Sequence, residues 1–373
     1  MKNLHIVFNA LSTLRGGGLT VLLGVLQGLH SQSQFGFQGT VICSADETRE
    51  AIEKQGIAKA IQPLPNAPGI KRQLWANWSM ANYVKKLNAD RFLSINQYIP
   101  GIACPQIVYH LNLLRFMPVA AGIGLKQKLF EHLRNHNSKT ALIKADANVF
   151  ESKYIQDCAQ QIHSSNNPLD QVIYIGLPDE LVNAPKLNHD SYIPGQLISI
   201  TNTVPHKDNP TLMRTLAQLV ELKPEVDWKL KIAGGRLPHL WEPHKQLAVD
   251  LGINERIEWL GFQTQQELTT QLQSSLCMVL TSKVESFCMV AIEAMARGCP
   301  AVVSDSAAMP ESVGKSGLLA TPGDPGSFVQ NVLKIHESKE FRSQLVEDGF
   351  QHLKDFRWEN CGNQFAQLFL DLK

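Results

Sequence analysis

The sequence predicts an α/β protein of two Rossmann-like, doubly wound domains, and three observations lead to this fold class. The chain has 373 residues, which suits two domains of roughly 150–200 residues each better than one. Short apolar, β-rich runs alternate with longer segments of helical period in both halves, as in parallel sheets covered by helices. Between the halves, residues 177–195 are polar, carry three prolines and break both periods.

The order of these segments assigns a domain to residues 1–178, a linker to 179–195 and a second domain to 196–357. In the first half, strands are predicted at LHIVFNAL, FQGTVICSA, RFLSIN, QIVYHLN, ANVFES and VIYIG, and helices from Leu19 and at Arg49–Gln55, Gln73–Leu87, Leu125–Asn135 and Tyr154–Gln161. In the second half, strands are predicted at QLISITN, WKLKIAGG, IEWLGF, LCMVLTS, PAVVSDS and GLLATP, with helices between them. Ligands of such sheets bind outside the carboxyl ends of the strands, so we expect a site in a cleft between the domains.

Composition excludes several classes of protein. Apolar residues make up 44% and charged residues 18%, which favours a sizeable core over disorder. No apolar run reaches the ~18–20 residues of a membrane span, and the first residues read as a strand rather than a signal peptide. Seven cysteines without C-x-x-C spacing argue against a disulfide framework or zinc cluster, so we expect a cytoplasmic protein. His132 and His136 have a spacing that suits a metal, but without H-E-x-x-H a solvated helix face is favoured.

Charge is distributed unevenly along the chain. Residues 1–178 hold 17 Lys and Arg against 10 Asp and Glu, a net +7, whereas residues 179–373 hold 18 against 24, a net −6. This asymmetry reflects either drift or an N-terminal half that faces an anionic surface. The predicted helix at 125–135 also carries basic residues around apolar ones, so it either lies on an anionic membrane or packs on its own core.

The segment VESFCMVAIEAMARGCPAVVSD, residues 284–305, holds two glutamates in an otherwise apolar run. The pattern predicts a strand, a turn and then a helix that runs to about Arg297 and ends at Gly298. Glu285 would lie at the mouth of this helix, where free N–H groups favour phosphate, and Glu293 about two turns along. Carboxylates there suit sugar hydroxyls. Alternatively, Glu285 only complements the helix dipole and Glu293 is solvated.

Other polar or glycine-rich positions follow predicted strands. Gly16, Gly17 and Gly18 precede an amphipathic helix, where glycines either let the backbone approach an anion closely or form a flexible loop. This is not the G-x-G-x-x-G fingerprint, which disfavours a dehydrogenase. Lys207 stands in a loop after a strand, where it is either functional or merely solvated. His110 stands at a strand's carboxyl end, where a lone histidine is commonly structural.

The run E-S-F-C-M-V-A-I-E-A-M-A-R-G-C-P-A-V-V-S resembles the E-x7-E signature of the retaining GT-B glycosyltransferases of family four, usually E-G-F-G followed by E-A-M-A-x-G-x-P-V-V. The flanking runs IEWLGFQTQQELTTQLQSSLCMVLTS and MPESVGKSGLLATPGD extend the resemblance, and FRWENCGNQFAQLFLDL resembles the family's closing helix. The resemblance is strong over roughly 195–373 and weaker over 1–178. It implies two domains facing across a cleft: an acceptor-binding domain, rejoined by residues at about 358–373, and a nucleotide-sugar-binding domain at 196–357.

The resemblance also implies roles for single residues. Glu293 resembles the glutamate that holds the ribose hydroxyls, and Glu285 the one that meets the donor sugar near its C3 hydroxyl. Lys207 matches the lysine of the G-R-x-x-x-x-K-G region, which neutralises the departing diphosphate. Asn202 stands where that region usually has Arg, and Arg236 either supplies the missing cation or is a surface residue. The other positions implied to contact the donor are Gly16, Gly17, Gly18, Phe262, Ser286, Phe287, Cys288 and Met289.

His110, Cys288 and Phe262 each have a separate implied role. His110 stands where the family has a histidine that contacts the donor sugar or the acceptor, and it completes the implied catalytic set with Glu285 and Lys207. Cys288 replaces the family's common glycine, so it either narrows the donor approach or is a buried, inert thiol. Phe262 lies in the loop that we expect to meet the nucleotide base.

The implied function is transfer of a hexose, with retention, from a UDP- or GDP-linked sugar to a glycan or lipid-linked acceptor in bacterial surface polysaccharide or lipopolysaccharide synthesis. No Asp-x-Asp motif is present, so we expect no metal and no other cofactor. The expected partners are the nucleotide sugar and its acceptor, without nucleic acid, and the expected location is cytoplasmic or peripheral on the inner face of the membrane. The alternatives are a phosphorylase or sugar-nucleotide epimerase of the same fold, or a non-catalytic nucleotide-sugar-binding subunit.

Overall fold

A computed structural model of the protein describes residues 3–13, 16–117, 125–182 and 191–372. These residues divide into two compact units. One unit comprises Met1–Pro178 together with Phe356–Lys373, and the other comprises Asp179–Asp355. Each unit has one parallel sheet flanked by helices, so the predicted class of two Rossmann-like α/β domains is confirmed.

The strands follow the predicted apolar runs closely. They are β1 (Leu4–Ala10), β2 (Phe37–Cys43), β3 (Ala58–Ile61), β4 (Arg91–Ile95), β5 (Gln106–His110), β6 (Ala147–Phe150), β7 (Gln171–Val172), β8 (Ile193–Ile200), β9 (Lys229–Ala233), β10 (Ile257–Gly261), β11 (Ser275–Leu280), β12 (Ala301–Ser304) and β13 (Leu318–Ala320). Most are wholly or largely buried, because helices cover both faces of a parallel sheet.

The helices lie between the strands in the sequence, apart from the last three, which follow β13. They are α1 (Gly17–His30), α2 (Asp46–Gln55), α3 (Gly69–Trp78), α4 (Met80–Lys86), α5 (Leu125–Lys144), α6 (Lys153–Ile162), α7 (Asp179–Val182), α8 (Asn209–Leu222), α9 (Pro238–Asp250), α10 (Gln265–Gln273), α11 (Met289–Ala296), α12 (Met309–Val313), α13 (Pro325–Glu337), α14 (Lys339–His352) and α15 (Trp358–Asp371).

Both sheets are doubly wound. In the described residues the first sheet has the order β3-β2-β1-β4-β5-β6-β7 and the second the order β10-β9-β8-β11-β12-β13. The order therefore reverses between β1 and β4 in the first unit and between β8 and β11 in the second. The carboxyl ends of strands at such a switch point form the crevice in which doubly wound sheets bind ligands.

Several predicted boundaries differ from the observed ones. The helix predicted at Gln73–Leu87 is divided into α3 and α4, and the run VIYIG contributes only the short strand β7. The edge strand β3 was not predicted, because its residues, AKAI, are mostly small or polar and are only half-buried. Part of the predicted linker forms α7 and the start of β8, while residues 183–190 lie outside the described residues.

Helix α15 completes the first unit by packing on α1, and glycines allow the two backbones to approach. A Cβ placed on Gly28 would overlap the Trp358 carbonyl, and one on Gly362 would overlap the Gly28 backbone. The Trp358 ring covers Gly24 in the same way. The end of α15 is held by Arg91, whose Nε donates a hydrogen bond of 2.9 Å to a backbone carbonyl of the helix.

Candidate functional site

The switch point of the second sheet brings together two residues that are far apart in the sequence. Lys207 ends a short 3-10 turn after β8, and Glu285 lies in the loop after β11. The Lys207 Nζ is 2.6 Å from the Glu285 Oε1, and the side chains are only 17% and 15% exposed. A charge-assisted hydrogen bond of this length, partly shielded from water, is among the stronger polar contacts in proteins.

The loops that carry this pair are also joined through their backbones. The Lys283 N–H donates to the His206 carbonyl at 2.7 Å, and the Thr281 hydroxyl donates to the Asp208 carbonyl at 2.9 Å. The Lys283 Nζ forms a second ion pair, 3.0 Å from Asp208 Oδ2. Burial and the neighbouring Lys207 charge lower the pKa of His206. The two loops are therefore joined by backbone and side-chain hydrogen bonds and by two ion pairs.

The acidic segment forms the predicted turn followed by the predicted helix, which ends at Ala296, close to the predicted end. Helix α11 begins at Met289, and Cys288 before it has a left-handed backbone, with φ 84° and ψ 52°. That conformation cannot continue a right-handed helix, so Glu285 lies outside the helix. Glu285 and Glu293 therefore lie on different elements, a loop and a helix. Glu285 is positioned by its loop and by Lys207.

Glu293 lies within α11 and is only 9% exposed, so the interpretation that it is solvated is wrong. Its Oε2 is 4.0 Å from an Arg297 guanidinium nitrogen, and Arg297 in turn donates to Thr269 Oγ1 at 2.9 Å and to Gln265 Oε1 at 2.5 Å. Burial raises the pKa of Glu293, and Arg297 opposes this shift. A buried carboxylate with one distant partner retains free acceptor capacity, which suits a ligand hydroxyl.

The loop before α11 is tightly packed. Phe287 and Cys288 are buried, whereas Ser286 and Met289 are half-buried. The positive φ at Cys288 is the conformation that glycine adopts at least cost, which accounts physically for a glycine at this position in the family pattern. Burial, followed by the Glu285 charge, raises the pKa of the Cys288 thiol. It is therefore protonated and unreactive near neutral pH.

Three further predicted donor contacts lie on loops after β8, β9 and β10. Asn202 accepts a 3.1 Å hydrogen bond from the backbone N–H two residues on, so it shapes its loop instead of supplying charge. Arg236 is exposed and donates to the Trp259 carbonyl at 2.7 Å. Phe262 is 88% exposed, and its ring tip lies 2.9 Å from where a Cβ on Gly235 would be. A side chain at position 235 would push this exposed ring aside.

The glycine loop of the first unit is open. Gly16 has φ 67°, and a Cβ on Gly16 or Gly17 would meet no atom within 4 Å. Helix α1 begins at Gly17, two residues before the predicted Leu19, so Gly17 and Gly18 form its first turn. Exposed N–H groups at a helix start favour an anion. Residues 14 and 15 of this loop lie outside the described residues.

His110 ends β5, as predicted, and is completely buried. Its Nε2 is 2.9 Å from Asn148 Oδ1, and its ring stacks on Phe150 with centroids 5.1 Å apart. Within the described residues its Nδ1 has no hydrogen-bond partner. Burial lowers the pKa of His110 from 6.5 to about 4, so the ring is neutral at physiological pH.

A pocket that the sequence did not predict lies within the first unit. It has a volume of about 810 Å³ and opens beside the carboxyl ends of β1, β2 and β3. Its polar lining includes Asp46 and Glu47 of α2, Asn66, and Arg72 of α3. Hydrogen bonds from Asn66 and Gln62 lower the pKa of Asp46. The pocket therefore offers a carboxylate, an amide and a guanidinium to a polar ligand.

The described part of the chain contains neither a metal-binding cluster nor a membrane-spanning helix. No group of three or more His, Cys, Asp or Glu side chains with metal-binding geometry occurs there. His132 and His136 are exposed on α5. None of the described helices combines the length and apolar character needed to cross a membrane.

The sequence of the second unit is similar to that of known glycosyltransferases. Residues 193–352 match the family model of glycosyl transferases group 1. The D-inositol 3-phosphate glycosyltransferase of Corynebacterium efficiens is 29% identical over 169 residues, which are 44% of this chain and 40% of that protein. The O-antigen chain mannosyltransferase B of Escherichia coli is 30% identical over 173 residues, 46% of this chain and 44% of that protein. The match thus spans less than half the length of these curated relatives.

The similarity of the fold extends over the whole chain. The crystal structure of HepE from Anabaena in complex with UDP and glucose superposes with a TM-score of 0.74, covering 99% of this chain and 100% of HepE at 18% identity. Similarity at this identity shows the fold alone. The chain therefore has the two-domain fold of GT-B glycosyltransferases, and the match to the glycosyl transferases group 1 model lies within its second unit.

Proposed function

We propose that this protein is a retaining glycosyltransferase that moves a sugar from a nucleotide-diphosphate sugar to a hydroxyl of a glycan or lipid-linked acceptor. The observation that carries the proposal is the ion pair of Lys207 and Glu285 at the switch point of the second sheet. A lysine ammonium has three donors and a carboxylate about four acceptor sites, and their mutual contact uses one of each. Lys207 can therefore still bind a diphosphate oxygen while Glu285 accepts a sugar hydroxyl.

In the proposed reaction the bond between the anomeric carbon and the diphosphate oxygen breaks, and its electron pair leaves with the diphosphate. Lys207 and the free N–H groups at the start of α11 stabilise that developing charge. The acceptor oxygen bonds to the anomeric carbon on the face that the diphosphate leaves, and its proton passes to the departing diphosphate. Glu285 positions the sugar, and Glu293 accepts the ribose hydroxyls in its buried environment.

The first unit provides the proposed acceptor site. The pocket beside β1, β2 and β3 combines Asp46, Asn66 and Arg72, a set suited to sugar hydroxyls and to an anionic group on the acceptor. The proposal places the donor against the second unit. The name of the Escherichia coli relative supports a role in surface polysaccharide or lipopolysaccharide synthesis.

A thermal-shift screen of the full chain against UDP, GDP and ADP sugars tests donor binding. A ligand at 100 times its dissociation constant adds about 2.7 kcal/mol to the free energy of unfolding. Glu293→Gln should abolish most of the donor-induced shift, whereas the control Glu242→Gln, on the exposed surface of α9, should preserve it. The absence of a shift with every nucleotide sugar would contradict the proposal.

Product analysis tests the chemistry. NMR of the product should show the same anomeric configuration as the donor, with activity unchanged by a chelator because the proposal includes no metal. An inverted product would refute retention. A requirement for inorganic phosphate would favour a phosphorylase, a changed sugar stereocentre without transfer an epimerase, and a thermal shift without turnover a binding subunit.

A further inference from the structure

Helix α3 of the first unit exposes three large apolar side chains in a row. Ile70, Leu74 and Trp78 are 72%, 45% and 76% exposed. They are spaced four residues apart, so they lie within an arc of about 80° on the helix surface. On the opposite side Ala76 is buried in the core of the unit, with Trp75 packed against the same cluster. We call the row of Ile70, Leu74 and Trp78 the apolar stripe.

The apolar stripe is not needed to attach α3 to its own domain, because Ala76 and Trp75 already do so. Single exposed apolar residues are common on protein surfaces, but an aligned group that includes an almost fully exposed tryptophan marks an interaction site. Tryptophan at such a site is typical of the boundary between water and an apolar phase. The charge around the stripe indicates which apolar phase it meets.

All charged residues in the chain segment around the stripe are basic. Residues 54–89 contain no Asp or Glu and six Lys and Arg, namely Lys54, Lys59, Lys71, Arg72, Lys85 and Lys86. Lys71 is exposed and lies about 100° from Ile70 on the helix, at the border of the stripe, and Lys85 and Lys86 are exposed on the adjoining α4. Apolar side chains bordered by lysines are the pattern of a surface that lies in the interface of an anionic bilayer.

We propose that the apolar stripe and its bordering lysines dock the first unit on an anionic lipid bilayer, with Ile70, Leu74 and Trp78 inserted among the acyl chains nearest the headgroups. This goes beyond the proposed transfer reaction and does not depend on it. The surface differs from the basic helix at 125–135, for which the sequence left open either membrane contact or packing on its own core. It lies next to the pocket in the first unit, since Gly69 and Arg72 of the same helix line that pocket.

Vesicle flotation of the full-length protein tests the proposal. We expect the protein to float with vesicles that contain phosphatidylglycerol, to float less as salt is added, and to remain in solution with pure phosphatidylcholine. The double variant Leu74→Ser/Trp78→Ser should reduce the partition coefficient at least tenfold, and Lys71→Glu should reduce it on anionic vesicles alone. Leu370→Ser is the matched control, because Leu370 is 58% exposed on α15 of the same unit; it should float like the unchanged protein.

Melting temperatures show whether each variant is folded, and the nucleotide-sugar thermal shift separates failure of this proposal from failure of the proposed function. The proposal is overturned if the protein does not float with anionic vesicles at low salt, or if the double variant floats as well as the unchanged protein. It is also overturned if sedimentation shows a concentration-dependent dimer that the double variant abolishes, because the stripe would then be covered by a second copy of the chain.

Discussion

Lys207 and Glu285 are 78 positions apart in the sequence, yet their charged atoms are 2.6 Å apart at the switch point of the second sheet. A second ion pair joins the same two loops, with the Lys283 Nζ 3.0 Å from Asp208. The pairs differ in the exposure of their lysines, since the Lys207 side chain is 17% exposed and that of Lys283 is 53% exposed, while both carboxylates are largely buried. The second pair therefore serves as an internal control for the first.

Replacing Lys207 with Met should cost about 1–3 kcal/mol of unfolding free energy, because the Glu285 carboxylate would keep its partial burial and lose its partner. Transfer activity should fall about 100-fold or more if Lys207 stabilises the leaving group. Lys283→Met should cost less than Lys207→Met, because the Lys283 side chain is 53% exposed and the buried Asp208 carboxylate keeps the hydrogen bond that it accepts from the Thr211 hydroxyl. Urea denaturation and initial rates measure both effects. Equal losses for the two variants would contradict the distinction between the pairs.

The left-handed backbone at Cys288 predicts an unusual order of stability for two variants. Cys288→Ala and Cys288→Gly both remove the thiol, but only glycine adopts φ 84° without a steric cost. The glycine variant should therefore be more stable than the alanine variant by about 1 kcal/mol. Chemical denaturation of the two proteins decides this, and equal stabilities would show that the loop relaxes around the Cβ.

The sequence predicted well those features that depend on local pattern. Buried strands such as β5 and β11 are continuous apolar runs, and the His110 position at a strand end follows directly from such a run. The left-handed backbone at Cys288, just before α11, was not predicted, because a cysteine carries no sequence signal for that conformation. The break between α3 and α4 after Trp78 was also not predicted, because the residues on both sides of it favour a helix.

Features that depend on tertiary contacts were beyond the sequence. The Lys207–Glu285 contact requires β8 and β11 to be neighbours, and the sequence alone does not fix that order. Burial of Glu293 depends on helices that pack around α11. The pocket beside Asp46 forms only when three loops meet. One sequence signal of a tertiary contact was present. Gly24 and Gly28 of α1 are four residues apart, so they lie on the same face of the helix and allow a second helix to approach closely.

The close contact between α1 and α15 predicts that one added methyl group at this contact strongly lowers the stability of the first unit. Gly28→Ala should destabilise the first unit by about 1–3 kcal/mol, because its Cβ would overlap the Trp358 carbonyl and force the helices apart. Gly69→Ala is the control: it also lies in a helix of this unit, and its Cβ would come no closer than 3.7 Å to a flexible arginine. Thermal unfolding should show a clear loss for Gly28→Ala alone. Similar behaviour of both variants would indicate that the helix contact is adjustable.

Burial of His110 predicts a specific loss of stability in acid. The pKa of His110 is lowered from 6.5 to about 4, so as the pH falls the unfolded chain binds its proton before the folded protein does. The stability associated with neutral His110 is therefore complete above pH 6.5 and is lost as the pH falls towards about 4, by roughly 3 kcal/mol in all. Urea denaturation across this range should show a shallower decline for His110→Gln than for the unchanged protein. His132→Gln, which removes an exposed histidine from α5, should keep the original slope, and an unchanged slope in His110→Gln would mean that His110 titrates normally.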